Sequence, residues 1–286
     1  MKISIVILTM GDRPAEVTRA IASTEDMRKK GAELIIVGNG GDPPPVPDGV
    51  VTLKLAENAG VAGGRNAAVR TCTGDVVLFL DDDGWYPESG PLGDHVAHRF
   101  ATEPELAVLS FRVVDPDSGE TARWYVPRLR ASDPERSSVV TTFAGGACAI
   151  RRSAYLEAGG LPEAFFYGHE ESDLSWRLLD RGYRLEYDAQ AIMCHPKVRN
   201  ARHATWYRIE ARNRVWLARR NLRWPVALWY LTDWMAITLL RERSWPALRA
   251  WFAGFADGWR SDPGQRQPIR LRTMWVMTKL GRPPVI

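Results

Sequence analysis

The sequence predicts an α/β fold: a mostly parallel central sheet flanked by helices, with a helical extension at its carboxyl end. Three observations lead there. Short apolar runs alternate with helix-forming segments, joined by short links, from Ile3 to Cys194. One run, residues 76–80, is apolar with no solvent-facing alternation, the pattern of a strand buried on both faces. The charge also changes sign along the chain. Residues 1–195 hold 20 Lys and Arg against 29 Asp and Glu, whereas residues 196–286 hold 18 against 5 and carry 9 of the 12 tryptophans.

At 286 residues the chain can bury a substantial core. Cys72, Cys148 and Cys194 form an odd, widely separated set without metal-ligand spacing, so reduced thiols and a cytoplasmic location are expected. No basic stretch leads from Met1 into a long apolar helix, so no signal peptide is expected.

Residues 3–8 read as the first buried strand. Asp12 is placed to cap a helix with Pro14 in its first turn, Val17, Ala20 and Ile21 on one face and Gly31 as its stop. Residues 33–37 and 50–55 give the next strands, separated by a glycine- and proline-rich connection. Gly60 to Gly64 opens a helix running to Thr71, and Thr73-Gly74 turns the chain into the strand at 76–80. The spacing predicts a helix over 90–101, strands over 106–114 and 123–127, and a polar, mobile loop over 131–138. A β-like stretch over 139–150 is interrupted by Ala144-Gly145-Gly146-Ala147, where backbone could pass close to a ligand. A short helix over 151–160, a helix opening at Glu170, and two strands over 183–187 and 189–194 complete this part.

Chemistry concentrates at four places. The strand at 76–80 delivers Asp81, Asp82 and Asp83 where open α/β sheets bind ligands. Three adjacent carboxylates suit either a solvated turn or a hard cation such as Mg²⁺ or Mn²⁺ that carries a diphosphate. The glycine-flanked helix start near Arg65 suits an anion, although its spacing is not a dinucleotide fingerprint. Glu170, Glu171 and Asp173 open a helix, where its dipole favours negative charge, and follow an aromatic and glycine loop that could raise a carboxylate pKa toward general-base values. His195 lies at a strand end, just before Pro196.

Taken in order, Ile3 to Thr9, Glu57-Asn58-Ala59-Gly60-Val61-Ala62-Gly63-Gly64-Arg65-Asn66, Asp81-Asp82-Asp83, Gly145-Gly146-Ala147-Cys148-Ala149-Ile150-Arg151-Arg152 and Glu170-Glu171-Ser172-Asp173-Leu174-Ser175-Trp176-Arg177 make the chain resemble glycosyltransferase family 2. Such proteins have the GT-A fold, which is Rossmann-like. His195 followed by Arg212-Asn213-Arg214 is similar to the rhamnosyl- and galactofuranosyl-transferase branches. The resemblance implies an inverting, metal-dependent glycosyltransferase, using a UDP or dTDP sugar and a hydroxyl acceptor that is a glycan, a lipid-linked sugar or a small molecule. It implies a GT-A domain over 1–203, with a nucleotide-sugar half over about 1–115 and an acceptor half over about 116–203, and a basic helical region over 204–286. Thr9, Gly11, Asn39, Asn58, Gly63, Arg65, Asp81 and Asp82 would then line the nucleotide-sugar pocket. Asp83, with Asp81 and His195, would hold Mn²⁺ or Mg²⁺. Glu171 would be the catalytic base, and Gly145, Gly146, Glu170, Asp173 and Trp176 would meet the acceptor. One departure stands out. Val37-Gly38-Asn39 replaces the usual Val-Asp-Asn-like end of the second strand, leaving the nucleobase contact to Asn39 or Asp42.

The basic, tryptophan-rich end predicts amphipathic helices that suit an anionic membrane surface, the protein's own catalytic domain or a second copy of the chain. A helix from Pro225 contains Asp233 and is short and polar for a membrane span. A nucleic-acid binder using the basic end is the alternative from another class, but two acidic clusters would repel phosphate. A nucleotidyltransferase would leave Glu171 without a task.

Overall fold

The computed structural model describes residues 1–129, 133–197 and 203–285. The chain forms β1 (Ile3–Thr9), α1 (Pro14–Ser23), α2 (Glu25–Lys29), β2 (Glu33–Asn39), β3 (Val51–Leu55), α3 (Gly60–Thr71) and β4 (Val76–Asp81). Then come α4 (Ser89–Thr102), β5 (Leu106–Val114), β6 (Ser138–Val139), β7 (Ala147–Arg151), α5 (Arg152–Glu157), α6 (Glu170–Asp180) and β8 (Arg184–Cys194). Four helices close the chain: α7 (Ala204–Asn221), α8 (Trp224–Arg241), α9 (Trp245–Arg260) and α10 (Leu271–Lys279).

The eight strands lie in the order β3-β2-β1-β4-β7-β5-β8-β6. β1 pairs parallel with β2 on one side and β4 on the other. The chain therefore reverses its travel across the sheet between β1 and β4, and the crevice outside their carboxyl ends is the place where such sheets bind ligands. Register puts Leu8 opposite Asp81 and Thr9 opposite Gly38. β7 runs antiparallel between β4 and β5, which makes the sheet mixed.

Strand alternation feeds two cores. Ile5, Ile7, Leu78 and Leu80 pack with Val17, Met27, Val96 and Phe100 beneath α1, α2 and α4. Val6, Val77 and Phe79 face a second cluster that continues through Tyr155 and Leu178 into Val215, Tyr230, Leu231 and Met277. The last four helices thus share the core of the sheet, and the boundary at 203 is a change of charge rather than a gap in packing. Gly254 and Gly258 let α9 press directly on α7, since a Cβ at either would overlap Arg208 or Val215. Among the described residues no helix is long and apolar enough to cross a membrane.

Four local expectations are corrected. Arg13, not Asp12, holds the cap position before α1 and makes no side-chain cap, and Pro14 has no N–H to satisfy there. Residues 123–125 form a 3₁₀ turn rather than a strand. β8 is one strand, not two. Its register against β5 jumps from Phe111–Asp188 to Arg112–Ile192, and Asp188 accepts the Gln190 N–H at 2.9 Å, so a bulge produced the turn-like signal. The loop expected over 131–138 has Ala131 and Ser132 outside the described residues, while Ser138 and Val139 pair with β8.

Candidate active site

A cleft of about 950 Å³ opens over the ends of β1, β2 and β4. Its floor is built by Asn39, which is nearly fully buried. The Asn39 Oδ1 accepts the Ala59 N–H at 2.8 Å, and its Nδ2 donates to Asn58 Oδ1 at 3.0 Å and to the Gly60 carbonyl at 3.1 Å. Both ends of the amide are thereby spent on fixing the start of α3. Gly60 has φ +70°, and a Cβ there would overlap the backbone of Phe166, whose carbonyl accepts the Val61 N–H at 2.7 Å. At Gly38 a side chain would strike the Gly41 carbonyl and Pro43, which excludes a base-binding carboxylate at that position.

The three aspartates diverge, each finding its own partner. Asp81 Oδ1 meets Arg65 Nη2 at 3.1 Å. Burial pushes the Asp82 carboxyl up to about 6, against a hydrogen bond from Thr9 and with the help of the Asp83 charge. Asp83 pairs with His195 Nε2 at 2.9 Å and Arg13 Nη1 at 2.7 Å. Burial of Asp83 opposes ionisation, but His195 and Arg13 outweigh it and hold the carboxyl below its usual range. Burial likewise works against a charged His195, and Asp83 overcomes it, so the imidazole pKa is raised. The His195 Nδ1 lies 2.7 Å from the Pro196 carbonyl, which can only accept; Nδ1 therefore carries a proton and Nε2 is turned to Asp83.

The donor set fits a divalent cation in one form and not in another. Among the described residues no three His, Cys, Asp or Glu side chains gather as metal ligands, and Asp81, expected in that set, turns to Arg65 instead. Asp83 and His195 remain as a carboxylate and an imidazole facing the cleft. These two side chains, with His195 Nε2 2.9 Å from Asp83, would hold a divalent cation that displaced the hydrogen bond between them.

Across the cleft, Glu171 Oε1 reaches Arg65 Nη1 at 3.4 Å, so one guanidinium joins Asp81 to Glu171. Gly145 and Gly146 make this possible: a Cβ on Gly145 would overlap Glu171 and Arg65, and one on Gly146 would overlap the Asp81 carboxylate. The paired glycines, expected to admit a ligand, instead make room for the protein's own catalytic candidates. Burial raises the Glu171 pKa, and Arg65 pulls it back. Burial and then the Glu171 charge raise Glu170, whose Oε2 has no protein partner. Glu170 is 2% exposed while the Glu171 side chain is 22% exposed, so Glu171 is the more accessible of the two.

The family model for glycosyl transferase family 2 matches residues 4–159, more than half of the chain. The chain belongs to this family. It is 30% identical over 181 residues to the pre-mycofactocin glycosyltransferase of Mycobacterium tuberculosis, covering 58% of this chain and 38% of that relative. Its fold resembles that of GalNAc-T7, solved with UDP, GalNAc and Mn²⁺, at TM-score 0.63 and 15% identity, over 81% of this chain and 49% of the other. It also resembles the mannosyltransferase PcManGT of Pyrobaculum calidifontis, in complex with GDP-Man and Mn²⁺, at TM-score 0.56 and 16% identity, over 98% and 73%. The chain thus spans about half or less of the length of the first two.

Within the family 2 frame, several expected residues lie away from the cleft. Gly63 is buried inside α3 against Ala59. Gly11, at φ +81°, shapes the turn after β1 and donates to Thr9 Oγ1 at 3.1 Å. Asp173 is fully enclosed by Arg177 at 2.6 Å, Arg220 at 2.8 Å and Asn221 at 2.6 Å, and Trp176 is 6% exposed and edge-on to Tyr230. Neither can touch an acceptor. Conversely, Arg13, Tyr125, Phe166 and Tyr167 line the cleft without having been singled out. Phe166 has φ 65° and ψ −57°, and Tyr167 donates back to the Phe165 carbonyl at 2.7 Å, a strained γ-turn. Asn213 of α7 holds that loop, its Nδ2 lying 2.8, 2.9 and 2.8 Å from the carbonyls of Phe165, Tyr167 and Gly168. The Arg212-Asn213-Arg214 run was the available signal for it.

Proposed function

We propose that the protein transfers a sugar from a nucleoside diphosphate sugar, UDP or dTDP, to a hydroxyl acceptor, with inversion at the anomeric carbon. The observation that carries this reading is the Asp81–Arg65–Glu171 chain. It puts a guanidinium between the Asp81 carboxylate and a partly buried glutamate whose proton affinity is raised. A divalent cation, when bound at Asp83 and His195, would supply electrostatic stabilisation of the leaving diphosphate. Glu171 would accept the acceptor proton from the face opposite the leaving group. Arg65 would do two things in this scheme: favour the ionised form of Glu171 and present positive charge where the diphosphate departs. Family membership, together with the UDP and GDP-Man named for the two structural neighbours, supports a nucleotide-sugar donor. Cell-surface glycan or glycolipid synthesis is the process such an activity would serve.

Incubated with a panel of nucleotide sugars and Mn²⁺, the protein is expected to release a nucleoside diphosphate. Release of pyrophosphate would make it a nucleotidyltransferase and overturn the reading. Asp83→Ala should lose the stimulation by Mn²⁺, and a variant still stimulated as strongly as the parent would remove Asp83 from the metal site.

The second face of the proposal is peripheral membrane contact. Trp229, Leu240, Trp245 and Trp275 are each at least 60% exposed, on helices that also carry Arg241, Arg249, Arg272 and Lys279. Exposed indole beside guanidinium suits the interface of an anionic bilayer. The protein should sediment with phosphatidylglycerol vesicles at low salt and less so after Trp229→Ala with Trp245→Ala. If no protein sediments, the exposed face belongs to a second copy, which light scattering would reveal.

A further inference from the structure

A second cavity of about 360 Å³ adjoins the cleft, and Trp124 and Tyr125 line both. Ala144 is in its wall, one residue from the Gly145 over which Glu171 lies. Three guanidinium groups, those of Arg123, Arg128 and Arg282, also line it, and no Asp or Glu does. Arg123 is hydrogen-bonded to the carbonyls of Val126 at 2.9 Å, Leu129 at 2.8 Å and Arg128. Arg128 bonds Ser138 Oγ at 3.1 Å and the carbonyls of Asp133 and Arg136, and its Nε is buried without a partner. Carbonyls fix these groups in place without neutralising them. The Arg282 side chain has no hydrogen-bond or ion-pair partner among the described residues.

We infer that this arginine-lined cavity receives a phosphoryl group carried by the acceptor, so that the acceptor is a phosphorylated alcohol or glycan. Planar guanidinium forks match phosphate oxygens, and a dianion would meet three guanidinium groups in a cavity whose described lining holds no carboxylate. Burial holds Arg282 below its ordinary range; Tyr230 pulls it back up, and the charges of Arg214 and Arg123 press it down again, a condition that an incoming anion would reverse. The location suits an acceptor: the cavity shares its Trp124–Tyr125 wall with the cleft, and its Ala144 precedes the Gly145 over which Glu171 lies. Only the word acceptor depends on the sugar-transfer reading; the anion site does not.

The test uses the full chain with Mn²⁺, with and without UDP, and two probes: glycerol 1-phosphate in solution and vesicles containing phosphatidic acid. Arg282→Gln should weaken the response about ten- to a hundredfold. Arg282→Lys should keep most of it, and thermal melting should show both variants folded. A response to glycerol 1-phosphate assigns a soluble phosphomonoester; a response to the vesicles alone assigns a lipid headgroup. Equal responses from the parent and Arg282→Gln with both probes would overturn the inference, as would equally tight binding of acetate or simple competition of glycerol 1-phosphate with UDP. A protein that binds phosphate through Arg282 but binds no nucleotide would sink the transfer reading while leaving this site standing.

Discussion

Glu171→Gln is expected to lower kcat by about 10²–10⁴-fold while leaving nucleotide affinity nearly unchanged. The amide keeps the shape that fits over Gly145 and can still accept from Arg65, so the cleft should be preserved. What it loses is the ability to take a proton. The same substitution should remove the acidic limb of the pH–rate profile. Burial raises the Glu171 pKa above the usual carboxylate range, the reaction needs the ionised form, and so the parent should slow as pH falls through that raised value. Single-turnover rates with saturating donor decide the matter, since they separate chemistry from product release. Turnover within threefold of the parent would transfer the base role elsewhere. Glu170 is badly placed to take it over, because it is 2% exposed and charging it next to Glu171 is unfavourable.

Asp173→Ala should cost stability rather than chemistry, about 3–5 kcal/mol in denaturant unfolding. The carboxylate is fully enclosed and is shared by Arg177 from its own helix and by Arg220 and Asn221 from α7. Truncation leaves two guanidinium groups buried without a counter-charge, which is the expensive way to break such a cluster. Burial alone would raise the Asp173 pKa, but Arg177 and Arg220 outweigh it and hold it below the usual carboxylate range. Since the folded pKa is depressed, this stabilisation is fully present above the unfolded value of about 3.9 and is lost as pH falls through the lower folded value. The parent should therefore lose more stability than Asp173→Ala between pH 4 and the acid transition. A change below about 1 kcal/mol at pH 7 would mean that solvent reaches the cluster.

These two residues show where reading along the chain succeeds and where it stops. Glu170, Glu171 and Asp173 are one acidic cluster by sequence, yet Glu170, Asp173 and Trp176 follow each other at three-residue spacing and share the inward face of α6. Glu171 lies about 100° round that helix and reaches Arg65, which lines the cleft. The spacing alone separates the two faces, but which of them is buried depends on α7, whose Arg220 is 47 residues from Asp173.

The first four strands, the acidic end of β4, the glycine pair before β7 and the histidine after β8 all follow from local pattern, because apolar runs and turn residues act within a few positions of themselves. Charge partners do not. Arg13 on Asp83, Arg65 between Asp81 and Glu171, and Asn213 on the carbonyls of the Phe166 loop join groups 16 to 106 residues apart. The sequence by itself determined which carboxylates stand at the crevice between β1 and β4. Only the tertiary structure decided which of them are spent on arginines and which face a substrate, since the Coulomb interaction is governed by distance in space and is indifferent to distance along the chain.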